Sequence, residues 1–213
     1  MIEERGWGEL EDKKYDLWAD GYGASMHLLN DKDEYPVAGY ADLLGEVYRL
    51  VRESGAKTVL DVGFGTGILT KKLYEDGCTI YGVDASEHIV EAGREDMPNA
   101  KLYVGDYSMG LPLRLTNETY DVIISTYALH HLDHYEKQEL FEDMLRQLNP
   151  GGKVIIGDLA FETEDEMKAF RDANREKWLD EDMYLVYEET ERDFHHIKWE
   201  KISKCAGIVT IEP

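Results

Sequence analysis

Short runs rich in valine and isoleucine alternate along this chain with longer stretches of helical period, and that alternation leaves few architectures open. A nearly continuous apolar run such as DVIIS at 121–125 suits a strand covered on both faces, and intervening helices supply the cover. Strands are expected over 57–62, 79–83, 101–104, 121–125 and 153–158, with helices over 40–52, 68–75, 86–95 and 135–148. Leu43, Leu44, Val47, Leu50 and Val51 form one stripe of the first helix, and Leu140, Met144, Leu145 and Leu148 one stripe of the last. Asn149-Pro150-Gly151-Gly152 then stops that last helix. Beyond, 164–178 reads as helical. The tail after Phe194 has two readings: a closing hairpin of two strands, which is favoured, or a helix over 197–205 followed by one strand. The expected fold is α/β, a doubly wound and mostly parallel sheet with helices on both faces.

The length, 213 residues, suits one domain. No stretch approaches the roughly 20 apolar residues that span a bilayer, and Met1-Ile2-Glu3-Glu4-Arg5 opens no secretory signal, so a cytoplasmic protein without a membrane partner is expected. Cys78 and Cys205 are too few for a disulfide scaffold and too far apart for a metal knuckle; each reads as a small apolar residue. The net charge of −22, from 45 acidic against 23 basic residues, repels phosphate backbones and argues against nucleic-acid partners.

Val59–Gly67 reads VLDVGFGTG, with glycines at 63, 65 and 67 between a strand and a helix. Such a turn lets the backbone approach a ligand closely, and several nucleotide-cofactor families use one. The dinucleotide spacing G-x-G-x-x-G fails here, because Ile68 and Thr70 stand where its third glycine belongs. Asp61, two residues before the first glycine, suits a ligand whose near end is an ammonium better than a pyrophosphate. Asp84 ends the second strand in YGVDAS, where a carboxylate can accept both hydroxyls of a ribose. Asp106 follows the third strand in VGDYS, placed to accept an adenine amino group. Each acid alone can equally cap a turn or helix; their succession in register with the glycine loop favours a ligand site.

With VLDVGFGTG, YGVDAS, VGDYS, YDVIISTYALHHL and LNPGGKVIIGD on one chain, residues 57–158 resemble the class I S-adenosylmethionine-dependent methyltransferase family. The resemblance implies a Rossmann-like sheet of seven strands with the last antiparallel, and S-adenosyl-L-methionine as cofactor. It places Asp61, Gly63, Gly65, Gly67, Asp84, Ala85, Asp106, Tyr107 and Ser125 around that cofactor. It divides the single domain over 1–213 into a helical lid or cap over 1–55, a cofactor-binding core over 56–160, and a C-terminal helix with closing hairpin over 161–213. YDLWADGYGAS and ISKCAGIVTI are similar to a small bacterial subgroup often labelled YrrT.

Methyl transfer from a sulfonium needs alignment above all, and a general base only where the acceptor arrives protonated. His131 and His130, after the fourth strand, are the candidates for that base, against the reading that one packs on the sheet and the other caps a helix. His130 and His134 are spaced like ligands on one helical face, but no carboxylate or thiolate pair completes a metal site, and none is expected. Tyr15, Trp18 and Tyr22 share a helical face and form either a lid or a packed aromatic face; Tyr127 joins them on the acceptor side. Ser-Thr-Tyr-Ala stands where base methylases often carry Asn/Asp-Pro-Pro-aromatic, which favours a small-molecule acceptor. The competing functions are a nicotinamide-dependent oxidoreductase and a non-catalytic cofactor binder; for the oligomeric state, monomer and homodimer both stay open.

Overall fold

Strand β1 (Thr58–Val62) alternates its side chains between two cores. Leu60 and Val62 enter a cluster with Ile123, Val154, Ile156, Leu140, Phe141 and Met144. Val59 enters another with Leu43, Val47, Leu69, Leu73, Val90, Val122 and Ile155. One cluster lies on each face of the sheet, which is why its strands read as unbroken apolar runs. The computed structural model describes residues 35–36, 38–179 and 183–213. The readings placed on Tyr15, Trp18 and Tyr22 lie outside the described residues.

Helix α1 (Tyr40–Ser54) buries Leu43, Leu44, Val47 and Val51 of the stripe expected of it, while Leu50 is only half-buried. The core follows as α2 (Ile68–Glu75), β2 (Thr79–Asp84), α3 (Glu87–Asp96), β3 (Lys101–Val104) and β4 (Tyr120–Thr126). A 3-10 turn over Leu129–His131 leads into α4 (His134–Arg146), whose start is fixed by a reciprocal capping box between Asp133 and Glu136. Then come β5 (Leu148–Phe161), α5 (Glu164–Ala173), β6 (Leu185–Val186), α6 (Tyr187–Asp193), β7 (Ile197–Lys201) and β8 (Ala206–Ile211).

The sheet order is β3-β2-β1-β4-β5-β8-β7, with β6 beside the far end of β5. Neighbouring strands are parallel except β8, which runs antiparallel to both β5 and β7. The last strand is therefore the antiparallel one, and the sheet has eight strands where seven were expected, the addition being the two-residue β6. The tail takes the hairpin form. Trp199 on β7 lies so close over Gly207 that a Cβ there would sit 2.0 Å from its ring, so only glycine fits.

Most bounds shift by a residue or two from expectation, and two elements differ more. Leu148 pairs with Tyr120 and a register shift follows, so β5 begins ahead of the Asn-Pro-Gly-Gly turn instead of after it. Helix α5 ends at Ala173, short of 178, because Asn174 turns its amide back onto the Phe170 carbonyl at 2.8 Å. Trp178 is thereby released to stack on Tyr35 and pack on Tyr184. Both cysteines are buried thiols. Among the described residues no helix is long and apolar enough to cross a membrane.

The chain runs outward from β1 to β3, then crosses to β4 on the other side of β1. That reversal opens a crevice at the carboxyl ends of β1 and β4, where ligands of doubly wound sheets bind.

Candidate functional site

At the carboxyl end of β1 the chain enters three glycines with left-handed backbone, Gly63 at φ 70°, Gly65 at 53° and Gly67 at 73°. The peptide nitrogens of Gly63 and Phe64 donate to the Val83 carbonyl at 2.8 and 3.3 Å, so the loop is tied to β2. Gly63 is doubly constrained. Besides its positive φ, a Cβ there would lie 2.4 Å from Ala128 Cβ and 2.8 Å from the Tyr107 hydroxyl.

Asp61 faces α2 and is 1% exposed. Its Oδ2 accepts the hydroxyl of Thr70, which is also buried, whereas Oδ1 has no hydrogen-bond partner. Burial drives its carboxyl up from an ordinary 3.8 to about 7; the Thr70 hydroxyl opposes that rise and the nearby charge of Asp84 adds to it. Asp84, one strand away, accepts from Gly65 N and Ser86 N, each at 2.9 Å. It thus braces the glycine loop and the entry to α3, where the Ser86 side chain caps Ile89 N. A carboxylate offers about four acceptor sites, so two remain for a ligand. Ala85 beside it is exposed.

Asp106 is exposed, and its Oδ1 accepts Ser108 N at 2.9 Å in a local turn that holds its carboxyl below the ordinary range. Tyr107 reaches back across the loop, its hydroxyl donating to the Ala128 carbonyl at 3.5 Å. Burial raises the Tyr107 phenol well up, and the charges of Asp84, Asp158, Asp106 and Asp61 raise it further. The charges of these carboxylates bear on one phenol, and the acids expected after successive strands, Asp61, Asp84 and Asp106, share one end of the sheet.

On the α1 side of the loop a cavity of about 170 Å³ is lined by Tyr40, Gly63, Gly65, Ile68, Thr126 and Tyr127 among others. Tyr127 has φ 50°, its ring lies 4.9 Å from that of Tyr40, and its buried hydroxyl has no hydrogen-bond partner. Burial pushes that phenol far up as well.

Ser125 departs from expectation. It is fully buried and its hydroxyl donates to the Val62 carbonyl at 2.7 Å, lacing β4 to β1 instead of facing the cleft. The histidines separate as well. His131 is exposed, whereas His130 has Nδ1 2.8 Å from Asp158 Oδ1 and its side chain is 14% exposed. The two imidazoles stand 4.1 Å apart. His134, the first residue of α4, meets Asp193 at 3.4 Å.

Sequence reasoning missed Asp158, although it closes KVIIGD as Asp84 closes YGVD; unlike β2, β5 runs on past its acid, to Phe161. It is 1% exposed, with Oδ2 accepting Leu129 N at 2.8 Å and Oδ1 accepting Leu159 N at 2.7 Å. Burial pushes its carboxyl up, but the charge and hydrogen bond of His130 and these two peptide nitrogens together hold it below the ordinary range. Lys137 was missed too, and carried no signal, since EKQE reads as an exposed helical face. Its ammonium is buried and donates to the Leu132 carbonyl and, at 2.5 Å, to that of Met183. Burial lowers its pKa to about 8 against the pull of Asp158 and Asp133.

Residues 59–152 match the model of a methyltransferase domain. An uncharacterized methyltransferase of Anoxybacillus flavithermus is 33% identical over 186 residues, covering 86% of this chain and 84% of its own. Another, from Geobacillus sp. strain WCH70, is 34% identical over 184 residues, covering 86% of this chain and 76% of its own. Among solved structures, magnesium protoporphyrin IX methyltransferase from Synechocystis PCC 6803 superposes with a TM-score of 0.65 at 15% identity, over 95% of this chain and 94% of that one. Streptomyces venezuelae DesVI does so at 0.64 and 16%, over 95% and 98%. The structural likenesses bear on the fold, and the identity to the curated relatives bears on descent. By that descent, and with a fold that agrees, the chain belongs to the class I S-adenosylmethionine-dependent methyltransferase family.

Proposed function

We propose that the chain transfers a methyl group from S-adenosylmethionine to a small-molecule acceptor, with the cofactor held along the glycine loop. The residues present fit such a group. Asp61 keeps a buried carboxylate oxygen without a donor, and a ligand ammonium supplies one. A Cβ at Gly65 would meet nothing within 4 Å, so the loop has open space on that side. When bound, the cofactor supplies a methyl carbon already activated by a positively charged sulfur.

The rest is the work of the chain. Asp61 takes the ammonium of the methionyl end, while Gly63, Gly65 and Gly67 let the backbone lie close beneath it. Asp84 accepts the ribose hydroxyls on the lone pairs that Gly65 N and Ser86 N leave open, with Ala85 alongside. Asp106 and Tyr107 border the adenine. Tyr127 and Tyr40 wall the cleft on the acceptor side and exclude water from the reacting carbon. The net charge of −22 and the small cavity support a small molecule over a nucleic acid as acceptor.

The observation that carries the reading is the buried Asp61 carboxylate, with Oδ1 unpartnered, beside a left-handed glycine loop that Asp84 braces through Gly65 N. Calorimetry with S-adenosylhomocysteine and with oxidised nicotinamide dinucleotide tests it. Tight binding of the former is expected, and binding of the dinucleotide alone overturns the reading. Label transfer from methyl-labelled cofactor into a metabolite pool then identifies the acceptor.

A further inference from the structure

A second cavity, of about 300 Å³, lies between α4, α5 and α6 and shares no lining residue with the one beside the glycine loop. Native interiors rarely leave a void much larger than a water molecule, and small-ligand sites begin at roughly this size. Its apolar wall is largely aromatic. Phe141 meets Phe194 edge-on at 5.8 Å between ring centres, and Trp178 lies 4.3 Å from Tyr184. Met183, 48% exposed, and the exposed Arg171 mark the opening to solvent. The wall is also tied to the turn after β4. The Met183 peptide nitrogen donates to the His130 carbonyl at 2.7 Å, and the Met183 carbonyl accepts the Lys137 ammonium.

Lys137 is 6% exposed, and its ammonium meets only neutral carbonyls, those of Leu132 and Met183. An ammonium carries three donors, so one N–H is left over. Buried charges are rarely left without a counter-charge. Yet among the described residues no carboxylate forms an ion pair with Lys137, and none does with Arg171. Elsewhere the chain pairs its cations readily, as at Arg49, Lys72, Arg146 and Arg192, because acids outnumber bases by 45 to 23. Two cations kept from that surplus of acid at one aromatic cavity mark the place of an anion that the chain does not supply.

We infer that this cavity binds a small monocarboxylic acid with an apolar body, its carboxylate taking the spare N–H of Lys137 and the guanidinium of Arg171 at the rim. The aromatic rings bury the hydrocarbon part, which gives a longer acid the advantage over acetate. Glu189 and Asp193 line the same cavity, and their charges disfavour a dianion such as a phosphate ester. Asp193 is itself engaged by His134 at 3.4 Å. The site does not depend on the methyl-transfer reading.

The charges that bear on Lys137 come from Asp158 on β5, Asp133 and Glu136 at the start of α4, and Glu189 on α6, and all favour its protonated form. Burial outweighs them and brings the ammonium down to about 8, so it is charged at neutral pH and loses its proton above. His134, Arg171, Tyr184 and Asp193 complete the ionisable groups of the lining.

Calorimetry of the full chain with hexanoate and phenylpropionate tests the site, with hexanol and phenylpropanol as neutral counterparts and inorganic phosphate as the dianion. At neutral pH each acid is expected to bind at least about tenfold more tightly than its alcohol, and phosphate not to displace it. Lys137→Met is expected to erase the preference for the acid, and Arg171→Gln to weaken acid binding by about threefold. From about pH 7 to 9 wild-type affinity for the acids is expected to fall about fivefold or more, while that for the alcohols holds. Saturating S-adenosylhomocysteine is expected to leave acid affinity within about threefold, as for uncoupled sites. No binding of either acid, equal affinity for acid and alcohol, or displacement by phosphate or S-adenosylhomocysteine overturns the assignment. If Lys137→Met does not fold, Arg171→Gln and the wild-type pH course decide. A wild type that takes the acids but not S-adenosylhomocysteine would strike the cofactor reading and leave this site standing.

Discussion

Replacing Asp61 by asparagine exchanges a buried acid for a neutral group of the same shape, and the sign of its effect on stability depends on pH. In the folded chain the carboxyl titrates near 7 instead of 3.8, so the native state holds a proton that the unfolded chain has already released. At about 1.36 kcal/mol per pH unit this amounts to about 4 kcal/mol. Because the folded value is raised, that contribution is fully present below pH 3.8 and is lost as pH rises through 7. About 2.7 kcal/mol of it disappears between about pH 5 and 8.5. The asparagine variant carries no such dependence. Its amide oxygen keeps the Thr70 bond, while its amide nitrogen occupies the place of the unpartnered Oδ1 at a cost of about 1–3 kcal/mol. The variant is therefore expected to lie within about 1.5 kcal/mol of wild type near pH 5 and to be more stable by about 1–3 kcal/mol near pH 8.5. Urea denaturation without cofactor, repeated across that range, measures the difference. A wild-type-to-variant gap that stays constant within about 0.5 kcal/mol over that whole range refutes the reasoning. The same variant is expected to bind S-adenosylhomocysteine about 10- to 100-fold more weakly near pH 8, because the ammonium loses its carboxylate. Greater stability with poorer binding would mark Asp61 as a group whose burial is tolerated for the sake of a ligand.

Asp84→Ala is expected to weaken S-adenosylhomocysteine binding by about 1.5–3 kcal/mol in calorimetry, and an unchanged affinity in a folded variant removes it from the cofactor site. Gly63→Ala combines a strained φ with a Cβ 2.4 Å from Ala128 and is expected to cost about 2–4 kcal/mol in thermal or urea unfolding. Gly55→Ala, at φ 72° with nothing within 4 Å, is expected to cost only about 1–2 kcal/mol; equal losses at the two positions would show that space over Gly63 is not what excludes a side chain. Ser125→Ala removes a buried bond to the Val62 carbonyl and is expected to lower stability by about 1–2 kcal/mol with cofactor affinity intact; a fall in affinity without loss of stability would return Ser125 to the cleft.

Local chemistry written along the chain determined the element order and one end of the site. Alternating runs of Val and Ile with helical stripes called for a doubly wound sheet, and the strand over 101–104 and the helix over 68–75 appear with the bounds their residues indicate. The glycine loop and the acids at 61, 84 and 106 were legible because each lies within a few residues of a strand end, so their placement follows from strand length and direction alone. What lies across the sheet was not legible. Whether Ser125 faces ligand or neighbour depends on β4 lying beside β1, a contact between residues 63 apart. The pairing of His130 with Asp158 spans 28 residues and joins the turn after β4 to β5, and no spacing rule connects them. The burial of Lys137 depends on the segment at Met183 folding back over α4. Periodicity reports which face of an element is apolar; only tertiary packing brings a distant carbonyl or carboxylate to a given side chain, and with it the desolvation that shifts the protons of Asp61 and Lys137.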